Sequence, residues 1–153
     1  MKRLVLSSLR FSLILAATAT AQVKINVPAQ QYKVGEEIPA KVENTGKYAV
    51  TFCVEFGQWS MKEGEVESTP SPFWVQRENN EKWGTLIIGP DVGSLRGPVV
   101  LQAGESMGFP FRLNGPGRMR LRLNYWRGSF PDLDCRAKPK GIKLLTSTAF
   151  RIE

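Results

Sequence analysis

The chain has 153 residues, of which 42% are hydrophobic and 23% charged, a balance typical of a globular protein with an apolar core. It contains two cysteines and no histidine. These counts exclude hydrolases whose catalytic base is histidine, zinc sites with imidazole ligands, and structural metal sites of four cysteines.

Residues 1–21 have the pattern of a cleavable signal peptide. Basic residues at positions 2–3 precede an apolar stretch over 11–17, and the segment ends in Ala-Thr-Ala at 19–21. Small residues at this point fit the signal peptidase pocket, and the apolar stretch is shorter than the roughly 20 residues of a membrane-spanning helix. The length argues against an uncleaved anchor. We therefore predict cleavage after Ala21, a bacterial periplasmic or secreted protein, and no transmembrane anchor in the mature chain.

The net charge of +7 falls when this leader is removed. The leader contains three basic and no acidic residues, which leaves 18 basic against 14 acidic residues and a mature net charge of +4. Nucleic-acid-binding domains are usually more basic, so we predict no nucleic-acid partner. Envelope polyanions and acidic glycans stay open as partners. The mature length, residues 22–153, fits a single domain.

Apolar and polar residues alternate through most of the mature chain, which predicts β-strands. In chain order the predicted strands cover residues 23–27, 38–42, 48–56, 99–101, 109–113, 118–126 and 148–152. Residues 57–72 form a long polar stretch and predict a loop. Residues 72–93 predict a hairpin that turns near Asn79 and Asn80, because asparagine tolerates positive φ. Many short strands without an amphipathic helix are typical of an antiparallel β-sandwich or small barrel.

Three stretches of the sequence resemble the immunoglobulin-like and fibronectin-like sandwiches of exported bacterial proteins. They are YKVGEEIPAKVENTGKYAVTFCVEF, LQAGESMGFPFRLNGPGRMRLRLNYW and STAFRI. In such modules they would be the early strands through the central one, the last hairpin and the closing strand. A similar layout occurs in the intracellular-proteinase-inhibitor sandwich. The resemblance implies an all-β, antiparallel immunoglobulin-like β-sandwich over residues 22–153, and it implies no specific activity.

The two cysteines, Cys53 and Cys135, predict one disulfide, because an exported chain with an even count usually pairs them. Cys53 lies at a polar position of its strand and Cys135 lies in a loop, unlike the inter-sheet bridge of antibody domains. In a sandwich of this type the strand of Cys53 pairs with the strand near residues 118–126. The loop after Trp126 would then cross the outside of that sheet. A free, reactive Cys53 is the alternative, but no histidine is present to serve as its base.

The stretch GRMRLRLNYW, residues 117–126, alternates arginines with apolar residues. Its apolar members are predicted to be core: Met119, Leu121, Leu123 and Tyr125. Its other members share the opposite face: Arg118, Arg120, Arg122, Asn124 and Trp126. Three neighbouring guanidiniums favour an anionic partner. The alternative, which we expect to hold for most of the stripe, is neutralisation by Glu55, Glu153 or acids of the loop near Cys135.

Three further tryptophans are candidate binding residues: Trp59, Trp74 and Trp83. Exposed tryptophans at loop ends stack on sugars or anchor a protein partner. The alternative is that they complete the core of a small domain. The polar loop at 57–72 is a third candidate surface, because loops on rigid sandwiches often carry recognition.

These observations predict an exported, non-catalytic binding module whose partner is a protein or a cell-envelope component. A proteinase inhibitor of β-sandwich type and a carbohydrate-binding module stay open as alternatives. Asp132 and Asp134 could supply half of a calcium site, but without further oxygen ligands a polar loop is the favoured interpretation. The stretch at 89–98 lacks the lysine of a phosphate-binding loop. We therefore expect no catalytic residues, no cofactor and no metal.

Overall fold

The computed structural model describes residues 22–56, 59–60, 66–67, 70–86, 95–137 and 140–153. The predicted leader at 1–21 and part of the predicted polar loop lie outside these residues. Across the described ranges, the regular structure is entirely β-strand. None of the described segments is a helix long and apolar enough to span a membrane.

The described residues contain 14 strands, most of them short. In chain order they are β1 Val23–Asn26, β2 Gln31–Tyr32, β3 Glu37–Asn44, β4 Val50–Phe56, β5 Trp59–Ser60, β6 Val66–Glu67, β7 Pro70–Ser71, β8 Phe73–Asn79, β9 Lys82–Thr85, β10 Leu95–Leu101, β11 Ser106–Arg112, β12 Gly117–Arg127, β13 Lys143–Thr146 and β14 Phe150–Ile152. The two-residue strands β5 and β6 pair with each other.

The strands form two main sheets that pack as a β-sandwich. The smaller sheet has the order β1-β3-β11. The larger sheet is built around β12, which pairs along one edge with β8 and then β4, and along the other with β14 and then β13. Beyond these neighbours lie β10 next to β4, β9 next to β8, and β2 next to β14. The pairing of β14 with β2 is parallel, and the other strand pairs are antiparallel, as predicted.

The core lies between the sheets in two clusters, and each cluster takes side chains from both sheets. The first cluster comprises Val23, Val42, Val50, Phe52, Val54, Leu101, Phe109, Leu123 and Tyr125. The second comprises Tyr32, Ile38, Ala40, Val75, Leu113, Met119, Leu121, Phe150 and Ile152. The rings of Phe52 and Phe109 meet edge to face across the sheets, with centroids 5.9 Å apart, a favoured aromatic geometry. The four predicted core residues of β12 are therefore confirmed.

A buried amide ties one end of the smaller sheet to the larger one. Asn44, at the end of β3, is 1% exposed. Its Nδ2 donates to the carbonyls of Tyr48, Leu101 and Gln102 at 2.9, 3.0 and 3.0 Å, and its Oδ1 accepts from the backbone N–H of Gly46 at 3.1 Å. Because buried carbonyls need hydrogen-bond partners, this one side chain fixes the turn before β4 against the end of β10.

The hairpin and the strand boundaries differ in detail from the prediction. The hairpin β8–β9 is present, but its turn residues are Asn80 and Glu81, both with positive φ, one position later than predicted. The strand predicted over 48–56 begins two residues later, at Val50, so Tyr48 precedes β4 and does not face the core. Tyr48 is 55% exposed, and the guanidinium carbon of Arg127 lies 4.3 Å from its ring centroid.

Strand β13 was missed by the sequence pattern. Its sequence is Lys-Leu-Leu-Thr, so apolar residues stand side by side and do not alternate. Leu145 packs against the first core cluster, whereas Leu144 is 52% exposed on the outer side. The apolar character of Leu144 is therefore unrelated to the core.

Candidate functional site

The arginines and two of the candidate tryptophans lie together on the outer face of the larger sheet. Strand register places Arg120 opposite Gln76 and Arg122 opposite Trp74. Beyond β8, Trp83 of β9 lies opposite Glu78. Because side chains alternate between the two faces of a sheet, these residues share one side, away from the smaller sheet. We call this surface the arginine–tryptophan face and define it by Trp74, Trp83, Arg118, Arg120 and Arg122.

The central arginine of this face is held by two neutral groups. The guanidinium carbon of Arg120 lies 4.2 Å from the centroid of the Trp83 ring. Its Nε donates to Oε1 of Gln76 at 2.8 Å, and Gln76 is 6% exposed. A cation over an indole ring is attracted by the ring quadrupole. Arg120 is therefore fixed in position while its charge has no acidic partner among the described residues.

The first arginine is neutralised, but by a different acid from those expected. Nη1 of Arg118 lies 3.1 and 3.0 Å from the two carboxylate oxygens of Glu78 on β8. Of the acids that were expected to supply the counter-charge, Glu55 pairs with Arg96 at 3.3 Å, and Glu153 lies 4.0 Å from Arg151. In the loop, Asp134 accepts from the backbone N–H of Arg136 at 2.9 Å. Among the described residues, Arg118 alone of the three arginines has an acidic partner, so the predicted neutralisation of most of the stripe by Glu55, Glu153 or the loop acids is wrong.

The guanidinium of the third arginine, Arg122, makes no hydrogen bond or ion pair with a described group. Arg122 is half-buried between Trp74 on β8 and Thr146 on β13, and no described side chain or carbonyl bonds to its guanidinium. The neighbouring Trp74 is 51% exposed. On the other side of β12, Leu144 lies opposite Asn124 and is also exposed. This end of the face therefore places a cation, which has no acidic partner within the described ranges, beside an accessible indole ring.

Trp126 has the same parity as the arginines but does not belong to the exposed surface. It is 8% exposed and lies opposite Thr51 of β4. The Thr51 hydroxyl donates to the carbonyl of Gly128 at 2.8 Å and accepts from the backbone N–H of Phe130 at 3.0 Å. The loop after β12 thus crosses the outer face here and covers it. The indole Nε1 of Trp126 is buried and has no hydrogen-bond partner among the described residues.

The predicted disulfide fastens the far end of this loop. Cys53 and Cys135 are bonded, with an S–S distance of 2.05 Å and a sequence separation of 82 residues. Cys53 lies on the outer side of β4, and β4 pairs with β12 as expected. The bridge therefore holds the loop of Cys135 against the outside of the larger sheet.

Trp59 can be located only by its backbone, which belongs to β5; its side chain lies outside the described part of the structure. Trp83 is half-buried under the two arginines, so it serves partly as their platform. Among the candidate tryptophans with described side chains, Trp74 has the ring most open to solvent.

Sequence reasoning missed Gln76 and Glu78. The alternation of β8 does place both on the same side as Trp74, and this signal was available. Their partners were not evident, because Gln76 and Glu78 lie 44 and 40 residues from Arg120 and Arg118 in sequence.

The face places guanidinium groups beside indole rings. A guanidinium presents a planar fork of N–H donors that matches carboxylate, sulfate and phosphate. An exposed indole stacks on flat apolar surfaces. Within the described ranges, no three His, Cys, Asp or Glu side chains come together in a way that could hold a metal ion.

No protein-family model matches the chain, and no curated protein matches it. Solved structures that are similar to it include the following three. The sporulation control protein Spo0M from Bacillus subtilis is 16% identical over 87% of this chain and 50% of its own, with a TM-score of 0.35. AvmM, which catalyses macrocyclization in alchivemycin A biosynthesis, is 13% identical over 85% of this chain and 87% of its own, with a TM-score of 0.35. The seventh PapD-like domain of human CEP192 is 13% identical over 97% of this chain and 96% of its own, with a TM-score of 0.33.

Proposed function

We propose that the protein is an exported, non-catalytic, immunoglobulin-like binding module that uses the arginine–tryptophan face to recognise an anionic protein or envelope component. The observation that carries this proposal is the placement of Arg120 and Arg122. Neither has an acidic partner among the described residues, and both adjoin an indole ring. Arginine and tryptophan are the side chains most enriched at the energetic centres of binding surfaces.

The fixed position of Arg120 supports this proposal. Ordering a long side chain on binding costs free energy, and a side chain already held in place avoids most of that cost. Gln76 and Trp83 hold the guanidinium of Arg120 before any ligand arrives. Its remaining N–H donors have no described partner within the protein, so they are free to bond to an anion.

Two features support export. Residues 1–21 have the charge and apolar pattern of a leader that signal peptidase removes. The Cys53–Cys135 disulfide is the kind of bond that persists in an oxidising compartment such as the periplasm or the medium.

Retention on immobilised heparin tests anion recognition by this face. We expect the purified protein to be retained and to elute with added salt, because exposed charge interactions are screened. Arg120→Glu and Arg122→Gln should each lower the salt concentration at elution. Arg112→Gln is the matched control, because Arg112 lies on β11 of the other sheet and pairs with Glu37 at 3.5 Å. Equal shifts for Arg112→Gln and Arg122→Gln would count against the proposal.

Carbohydrate binding is a second candidate function, favoured by the exposed ring of Trp74. Sugars present flat C–H surfaces that stack on indole rings. A glycan array read by tryptophan fluorescence, with Trp74→Ala as the comparison, tests this candidate. A response that persists in Trp74→Ala would place sugar binding elsewhere.

Proteinase inhibition stays a prediction of the sequence. An inhibitor would present one of its loops to the protease, and the polar loop at 57–72, the third candidate surface, lies partly outside the described residues. An inhibitor would slow a secreted protease at a stoichiometric ratio and survive the incubation. Rapid cleavage of the loop without any slowing of the protease would argue against inhibition.

A further inference from the structure

Trp74 and Arg122 form a matched pair on the outer face. They are directly opposite each other on β8 and β12, where Cβ atoms lie roughly 4.5–5.5 Å apart. Trp74 is 51% exposed, and Arg122 has no partner among the described groups. Resting on the function proposed above, we propose that the ligand of this face is an acidic polysaccharide, with a uronate ring stacked on Trp74 and its carboxylate bonded to Arg122.

The chemistry of a uronate fits this pair. Its pyranose ring has an apolar C–H face, and its carboxylate projects from the edge of the same ring. Stacking the ring on the indole of Trp74 therefore brings the carboxylate beside the neighbouring strand. There the guanidinium of Arg122 can donate two parallel hydrogen bonds to one carboxylate.

A second cation extends the site along the strand. Arg120 lies two residues from Arg122 on β12, a spacing of roughly 6.5–7 Å on one face. Among the described hydrogen bonds, only its Nε is used, in the bond to Gln76. Its terminal N–H groups are therefore available to donate to a second anionic unit. Two cations at this spacing suit a polymer with repeated carboxylates better than a single small anion.

The shape of the surface also favours a polymer. Neither of two described concavities is lined by a residue of this face: residues 129–134 line one, and residues that include Tyr32 and Glu153 line the other. Small molecules are usually bound in concave sites that enclose most of their surface. The open sheet face instead supports a chain that extends beyond the site at both ends.

An acidic peptide fits less well. The backbone of β12 is paired along both edges over Arg122, so it offers no free N–H or C=O group to a peptide lying across it. Such a peptide would lose water from its own backbone without gaining partners. A polysaccharide keeps its outward hydroxyls in water. A second copy of this chain is also disfavoured, because it would bring like charges together.

The test measures binding of the purified protein to four probes: polygalacturonate, neutral dextran, polyglutamate, and vesicles of phosphatidylglycerol. We expect polygalacturonate to bind at least about tenfold more tightly than the other three. Trp74→Ala and Arg122→Gln should each weaken that binding about tenfold, the scale of losing one well-formed contact. Trp74→Phe should retain most of it. Tyr48→Ala and Arg112→Gln are matched controls, because they remove an exposed ring and an exposed guanidinium elsewhere.

Different failures have different meanings. In one outcome, polyglutamate or vesicles bind as tightly as polygalacturonate, and this binding is weakened by Arg122→Gln but not by Trp74→Ala. That result would overturn the polysaccharide inference and leave the anion-binding function standing. If no anionic probe responds to any substitution on the face, both proposals fail. Unfolding midpoints of Trp74→Ala and Arg122→Gln close to that of the parent chain would exclude misfolding as the cause of lost binding.

Discussion

The guanidinium of Arg120 lies against the ring of Trp83, with 4.2 Å between the guanidinium carbon and the ring centroid. The contact joins β12 to β9 across the intervening β8. Gln76, on β8 between them, bonds to the same guanidinium. Three strands are thus linked on the outer face by one arginine, which makes this face a structural feature as well as a candidate binding surface.

Trp83→Ala should destabilise the protein by about 1–2 kcal/mol, because it removes the ring on which the guanidiniums of Arg118 and Arg120 lie. Urea unfolding measures this loss. Trp83→Phe keeps an aromatic face for the cations and should lose clearly less. Equal losses for the two variants would show that ring stacking is not what stabilises the contact.

Glu78→Gln should strengthen heparin retention. The substitution removes the carboxylate that pairs with Arg118 at 3.0 Å and leaves the face more cationic. Stability should change by less than about 1 kcal/mol, because exposed ion pairs contribute little. Glu37→Gln removes a carboxylate from an equivalent pair with Arg112 on the other sheet. If both variants elute at the same higher salt concentration, net charge and not this face governs retention.

Removal of the disulfide by Cys53→Ser with Cys135→Ser should lower the free energy of unfolding by about 2–4 kcal/mol. The bond closes a loop of 82 residues in sequence, so its loss enlarges the freedom of the unfolded chain. Denaturation of the parent chain with and without a reductant gives an independent measure. A reductant that lowers the midpoint of the double serine variant would reveal an effect unrelated to this bond.

Thr51→Val should cost about 1–3 kcal/mol although it keeps the shape of the side chain, because it leaves Gly128 and Phe130 without their hydroxyl partner. Thr51→Ser retains the hydroxyl and should keep most of the stability. Both are compared by urea unfolding. A valine variant as stable as the serine variant would show that the two hydrogen bonds of the hydroxyl contribute no net stability.

Alternation along the sequence was enough to predict the core of β12 and the outward position of Cys53. The same pattern placed the three arginines on one face, because side chains of a strand alternate strictly. These predictions needed no knowledge of which strands are neighbours.

The partners of the arginines required that knowledge. Glu78 neutralises Arg118 because β8 pairs with β12, and the sequence does not specify this pairing. Trp126 shares the parity of the arginines, yet the loop after β12 covers it, and parity does not report such coverage. Exposure of Tyr48 likewise depends on where β4 begins, and boundaries are the least determined part of a strand pattern.

The central position of β12 has a consequence for the order of folding. Strands β4 and β8 come earlier in the chain, yet both pair with β12 and belong to the larger sheet through it. A nascent chain that has not reached residue 117 therefore lacks the strand that unites them. Sheets that depend on such distant contacts form slowly, on a scale of roughly milliseconds to seconds. A late-arriving central strand therefore leaves the larger sheet incomplete until the last quarter of the chain has been synthesised.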